Sequence, residues 1–265
     1  MLEIKNVHKT FNKGTINEKK ALNGLSLTLN DGDFCTVIGG NGAGKSTMLN
    51  AIAGVWPVDE GIIFIDDKDV TGLPEYKRAA YLGRVFQDPM TGTVADMEII
   101  ENLAIAARRG KRRGLRWNVT KAEYSTYREM LKEFDLGLED RMTSKVGLLS
   151  GGQRQAITLL MATIKKPKVL LLDEHTAALD PKTASKVLDL SDKIIAENNL
   201  TALMVTHNMH DAITHGNRLI MMNNGKIIYD ISGEEKKKLK TSDLLEKFSL
   251  ASGQELDNDR MLLSK

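Results

Sequence analysis

Leu2 and Ile4 alternate with polar neighbours at the start of the chain, and Leu25, Leu27 and Leu29 do so again before the turn Asn30-Asp31-Gly32. A period of two predicts half-buried strands. Asn12-Lys13-Gly14 punctuates the interval as a turn. Phe34 to Ile38 is a short continuous apolar run that enters a glycine cluster. From Lys45 to Ala53 the period changes, with Met48, Leu49 and Ile52 at helical spacing. Strand, glycine loop and helix therefore follow one another. Gly61 to Ile65, closed by Asp66-Asp67, and Leu82 to Phe86 are further expected strands.

From about 95 to 165 the pattern becomes helical: Ile99, Leu103 and Ala106 form one stripe, and Tyr124, Tyr127 and Leu131 another. Ser150 followed by Gln153 is a capping-box pattern that opens an apolar helix through Ile164. A continuous apolar run at Val169 to Leu172 predicts a strand buried on both faces. Asp180-Pro181 is a helix start, with an acidic cap and proline at the first position. Leu203 to Thr206 and Leu219 to Met222 are expected strands. Ser242 is an expected cap for a short helix over Asp243 to Phe248, Lys236 to Lys240 an expected solvated helix face, and the last fifteen residues a polar, loosely held end. The fold class is thus α/β, with a helical subdomain inserted into a β-rich core.

Composition narrows the classes. Of 265 residues, 42% are apolar and 27% charged, enough apolar content for a core and too much for a disordered chain. Lys and Arg number 37 against 35 Asp and Glu, so the net charge of +2 excludes a free-standing nucleic-acid wrapper. A single Cys excludes a disulfide framework and a Cys-rich zinc site. No apolar run approaches the roughly 18–20 residues of a membrane-spanning helix, and MLEIKNVHKT lacks the apolar stretch of a secretory leader. The expectation is a cytosolic-type chain of one or two domains.

Gly39-Gly40-Asn41-Gly42-Ala43-Gly44-Lys45-Ser46 matches G-x-x-x-x-G-K-[ST] at every position, with Thr47 following. Glycines let consecutive N–H groups converge on phosphate, the helix adds its positive end, Lys45 reaches the β- and γ-phosphates, and the Ser46 hydroxyl suits Mg²⁺. The motif alone leaves GTPases, kinases and ATPases open. Downstream, Val169 to Leu172 ends in Asp173 and Glu174. A buried parallel strand delivers such carboxylates to the ligand edge of a sheet. Asp173 is then placed for Mg²⁺ and Glu174 for polarising an attacking water.

Leu149-Ser150-Gly151-Gly152-Gln153 stands between these two features. On these residues the chain resembles the ATP-binding-cassette family over about residues 1–230. The resemblance implies a P-loop NTPase (RecA-like) core, an N-terminal antiparallel β subdomain and an inserted α-helical subdomain. It implies one cassette at 1–232, with the core at about 1–88 and 163–232, the helical subdomain at about 89–162 and a tail at 233–265. It further implies a head-to-tail dimer in which Ser150, Gly151, Gly152 and Gln153 meet ATP held by the opposite subunit. Gln87 matches the Q-loop residue that contacts Mg²⁺ and water, His207 the switch histidine, Asp180 the D-loop, and Phe11 the aromatic that stacks on adenine. His175 and Ala177 depart from the Pro and Ser more usual in the family.

The load on such an engine has two readings. One is a transporter subunit, a homodimer or a heterodimer with a similar cassette, docked on separate integral-membrane permeases at the cytoplasmic face of the membrane through a surface around 88–110, with a solute-binding protein and no nucleic acid. The other is a cassette acting on DNA or ribosomes; the lone Cys35, the short insertion without heptads and the single cassette count against it. The missing membrane span favours import, although lipoprotein and peptide exporters also use stand-alone cassettes. The long helical subdomain and the run Asp173-Glu174-His175-Thr176-Ala177-Ala178 resemble a bacterial subgroup paired with permeases like those for branched-chain amino acids, which implies an amino acid or similar small solute. The basic run Arg108, Arg109, Lys111, Arg112, Arg113 and Arg116, beside Trp117, is read as a solvated loop, a contact to anionic headgroups or permease, or a nucleic-acid contact.

Overall fold

A computed structural model describes residues 1–110 and 119–252, with side chains up to residue 248. Lys111, Arg112, Arg113, Arg116, Trp117 and the end of the tail lie outside the described residues. Two sheets carry the fold. The first is antiparallel, in the order β2 (Lys19–Leu29), β1 (Leu2–Phe11), β4 (Glu60–Ile65), β5 (Lys68–Asp69). The second runs β10 (Lys226–Ser232), β9 (Arg218–Asn223), β3 (Phe34–Ile38), β8 (Thr201–Val205), β7 (Val169–Asp173), β6 (Leu82–Val85). Its strands are parallel from β9 to β6, and only β10 is antiparallel to its neighbour.

The alternation along β7 shows why the run had to be wholly apolar. Val169 and Leu171 pack with Leu2, Ile4 and Val37 toward the antiparallel sheet, while Leu170 and Leu172 pack with Leu103, Ile157 and Leu188 under the helices. With both faces sealed, truncating Leu171 to Ala costs roughly 2–5 kcal/mol. The helices are α1 (Lys45–Ala53), α2 (Glu75–Arg78), α3 (Ile99–Ala107), α4 (Lys121–Lys132), α5 (Gly151–Thr163), α6 (Pro181–Glu197), α7 (Met209–Thr214), α8 (Gly233–Lys237) and α9 (Thr241–Ser252). Arg108 pairs with Glu123 at 3.4 Å and Arg109 donates to the Ala162 carbonyl at 3.1 Å, tying the end of α3 to α4 and α5. These two arginines of the basic run are therefore structural.

The tail departs from its expected form. Lys236 is buried, and its Nζ donates to the carbonyls of His215 and Gly216, so it is no part of a solvated face. Burial pushes its pKa down to about 8. Ser242 lies inside α9; the carboxylate of Asp243 accepts from the Lys240 N–H instead. Phe248 of α9 lies against Gly40, so a side chain there would meet its ring at 3.3 Å.

Candidate functional site

The parallel register brings four strand ends to one edge. Val37 pairs with Val205, Asp173 with Val205, and Val85 with Leu172. The segments at 39–44, 86–87, 174–180 and 206–208 consequently leave the sheet on the same side, where ligands bind in open α/β sheets. A cavity of about 220 Å³ opens there, walled by Phe11, Lys19, residues 41–47, Glu174 and His207.

Three glycines of the loop have φ of +152°, +79° and +104° at Gly39, Gly42 and Gly44. Side chains at Gly39 and Gly44 would also run into the Met222 and Ala21 carbonyls. Only glycine serves at both points. Gly44 occupies the cap position of α1 and no side chain caps that helix. Among the described residues, the N–H groups of Gly42, Gly44, Lys45 and Ser46 meet no acceptor within the chain. Free N–H groups at a helix start form a ready anion site. Lys45 is 5% exposed and its Nζ donates to Gly39 O at 2.6 Å and Gly40 O at 3.2 Å. Burial lowers its pKa, against the opposing pull of Glu174 and Asp173. Lys19, unforeseen from the sequence, brings a second ammonium over the loop, with Nζ 2.9 Å from where a side chain at Gly42 would begin. Phe11 meets Trp56 edge-on at 4.9 Å, which steadies its ring at the cavity wall.

Glu174 adopts φ +47°, a left-handed conformation that costs a non-glycine residue roughly 1–3 kcal/mol. The turn holds because the Glu174 N–H donates to Val205 O at 3.0 Å and its carbonyl accepts from Ala177 at 3.0 Å. Its carboxylate lies 2.6 Å from His207 Nε2. His175, beside it, is buried against α6. Ser191 gives its own proton to Val187 O at 2.8 Å, so the His175 ring donates from Nε2 across 3.1 Å. Burial drives the His175 pKa down to about 4, and the ring stays neutral. This departure from the family's Pro is a structural pin. Asp173 is paired with Arg84 at 3.2 Å. Gln87 is exposed at the end of the adjoining strand.

Ser150, Gly151, Gly152, Gln153 and Asp180 do not wall the phosphate-loop cavity. Ser150 caps α5, accepting from the Gln153 N–H at 3.3 Å, while the Gln153 side chain returns to the Ser150 N–H at 3.3 Å. Asp180 caps α6 and accepts from the Thr183 N–H at 3.1 Å. The two helix starts touch: a side chain at Gly152 would overlap Thr183 Cγ2, and one at Gly151 would lie 3.2 Å from Leu179. A divalent ion fits the first site by donor chemistry. Ser46 is an exposed hydroxyl and Asp173 a carboxylate, and among the described residues no cluster of three His, Cys, Asp or Glu forms an all-protein cage. Sparse oxygen donors beside a phosphate site are what Mg²⁺ prefers.

The profile of the ABC transporter family matches residues 22–177. The chain is 44% identical to a tyrosine transport ATP-binding protein of Clostridioides difficile, across 95% of this chain and 100% of that relative. It is 37% identical to the spermidine/putrescine import ATP-binding protein PotA of Haemophilus ducreyi, across 87% of this chain but only 57% of that relative's length. Among solved structures, the ADP conformation of an ATP-binding cassette from an ABC transporter superposes with TM-score 0.77 at 30% identity, covering 94% of this chain and 98% of that one. A dimeric cassette in a post-hydrolysis state bound to ADP and Pi superposes with TM-score 0.73 at 31% identity, covering 88% and 98%.

Proposed function

The chain belongs to the ABC transporter family, as an ATP-binding subunit that hydrolyses ATP to energise solute import, and from that premise we propose its substrate, partners and residue roles. The solute is tyrosine or a closely related amino acid, delivered by a solute-binding protein to separate permease subunits. Full-length similarity to a tyrosine transport subunit supports this choice over polyamines, whose relatives are far longer. The subunit works as a dimer on the cytoplasmic face of the membrane, a reading supported by similarity to a transport ATP-binding protein and to a dimeric cassette.

One observation carries the residue roles: the phosphate loop, Glu174 and His207 share a cavity that the signature does not enter. The free N–H groups of the loop, with Lys45 and Lys19, bind the β- and γ-phosphates. Phe11 offers its ring to adenine. Ser46, Asp173 and Gln87 would hold Mg²⁺, which would supply positive charge to the phosphates. Ser150 and the first N–H groups of α5 close on the ATP of the partner. Glu174 accepts the proton of a water whose oxygen attacks the γ-phosphorus as the bond to the bridging oxygen breaks. His207, Lys45 and the loop stabilise the developing charge.

A second cavity of about 450 Å³ supports the permease reading. It is an apolar groove between α2, β6, α3 and α5, walled by Tyr76, Ala79, Arg84, Phe86, Ile105 and Arg109. It falls where a cytoplasmic permease segment is expected to seat. Deleting the gene should abolish uptake of labelled tyrosine, restored by the wild-type chain and not by Glu174→Gln. Uptake that persists in the deletion strain rejects the assignment.

A further inference from the structure

We propose that Arg84 is a positioning residue that ties occupancy of the apolar groove to the readiness of Asp173 for its metal. The inference rests on the docking reading above and extends it to a named side chain. Arg84 stands on β6 opposite Leu171 of β7, so its side chain reaches the strand end two residues further on. One Nη atom lies 3.2 Å from Asp173 Oδ2, with both side chains largely sealed from water at 13% and 16% exposed. The guanidinium stacks on Phe86, 4.5 Å from the ring centroid. Its Nε is buried and has no acceptor. Arg84 and Phe86 both wall the groove.

One planar group thus touches the aspartate, leans on the residue before Gln87 and leaves one donor unspent in the groove wall. Buried donors without partners are rare, and this one lies where a partner chain is expected. A groove occupant that presents a carboxylate or carbonyl satisfies Nε and draws the guanidinium from Asp173. While the pair holds, the guanidinium shares the carboxylate and repels a nearby dication. Arg84 therefore holds Asp173 back in the empty groove, and a permease segment with an acceptor at this point releases it. The occupant is an apolar permease segment carrying one acidic or carbonyl acceptor.

The test uses the full chain with ADP and counts bound Mn²⁺ by electron paramagnetic resonance, a readout independent of turnover. Arg84→Met keeps an unbranched apolar stem beside Phe86 and removes the charge, and should tighten Mn²⁺ binding on the order of three- to ten-fold. Ala79→Glu, which presents a carboxylate to the groove from the end of α2, should shift binding the same way, and the double variant should bind no tighter than Arg84→Met alone. Unchanged or weaker Mn²⁺ binding by folded Arg84→Met overturns the proposal. If that variant does not fold, Arg84→Gln and Ala79→Glu decide, and unchanged binding in both overturns it. Cells carrying Ala79→Glu should also lose tyrosine uptake. Uptake lost with unchanged Mn²⁺ binding overturns the role of Arg84 and leaves docking intact. Uptake retained overturns docking, and the groove half of this proposal with it.

Discussion

The chain has two glycine-rich helix starts, and they use glycine for opposite ends. In the phosphate loop the glycines provide conformation. Gly39, Gly42 and Gly44 have positive φ, and a side chain at Gly39 or Gly44 would strike backbone carbonyls. In the signature, Gly151 and Gly152 have no positive φ, and what they lack is room: Gly152 packs on Thr183 and Gly151 on Leu179. The caps differ as well. No side chain closes α1, whereas Ser150 and Gln153 close α5 on themselves. The first is an open cradle for anions. The second is a joint that fixes α5 to the start of α6 and carries its own cap.

The largest effects should separate cradle from joint. Glu174→Gln should lose on the order of a hundred- to ten-thousand-fold in turnover while still binding nucleotide, because the loop is untouched. Phosphate release and fluorescent-nucleotide titration read the two quantities. In that background ATP should drive dimers visible by size exclusion. Adding Lys45→Ala should abolish both binding and dimers, whereas adding Ser150→Arg should abolish dimers alone. Loss of nucleotide binding by the Ser150 variant would put the signature inside its own subunit's site and collapse the distinction.

The glycines themselves give a sharper test. Gly44→Ala meets a positive φ and the Ala21 carbonyl at 2.5 Å, so it should destabilise by roughly 1–3 kcal/mol with no side-chain remedy. Gly152→Ala should destabilise to a similar degree by overlap with Thr183 Cγ2. Thr183→Ser removes that methyl and should recover most of the loss. Urea unfolding of the single and double variants measures the coupling. Recovery of Gly44→Ala by any single side-chain truncation, or none of Gly152→Ala by Thr183→Ser, contradicts the contrast.

Local geometry was what the sequence disclosed. The phosphate loop, the Ser150 cap, the Asp180 cap and the buried strand before Glu174 each need only neighbouring residues, so pattern and spacing reach them. The rest depends on which strands lie side by side. Arg84 meets Asp173 because β6 adjoins β7, a pairing across 89 positions. Lys19 comes over the loop through the start of β2, ahead of the Leu25 to Leu29 alternation by which that strand was legible. Lys236 looked like one of five residues on a solvated face, but α8 turns it onto the carbonyls of His215 and Gly216. Likewise, β10 alternates only half-buried residues, and that weak pattern left it undetected beside β9.

The smallest effect concerns the cap at the joint. Hydrogen bonds from Thr183 hold the Asp180 carboxyl below its ordinary value of 3.8. A depressed carboxylate contributes stability that is present above the unfolded pKa and is lost as pH falls through the folded one. Asp180→Asn keeps an acceptor for the Thr183 N–H but cannot titrate. At pH 6 the wild type should be slightly the more stable, and the difference should shrink as pH drops below about 4. Thermal unfolding of both chains across that range follows it. The phosphate loop has no capping side chain to titrate, so substitutions at its helix start should show no such acid dependence. A pH-independent gap between Asp180→Asn and wild type would mean that the joint is held by packing of Gly152 on Thr183 alone, with the charge of the cap contributing nothing.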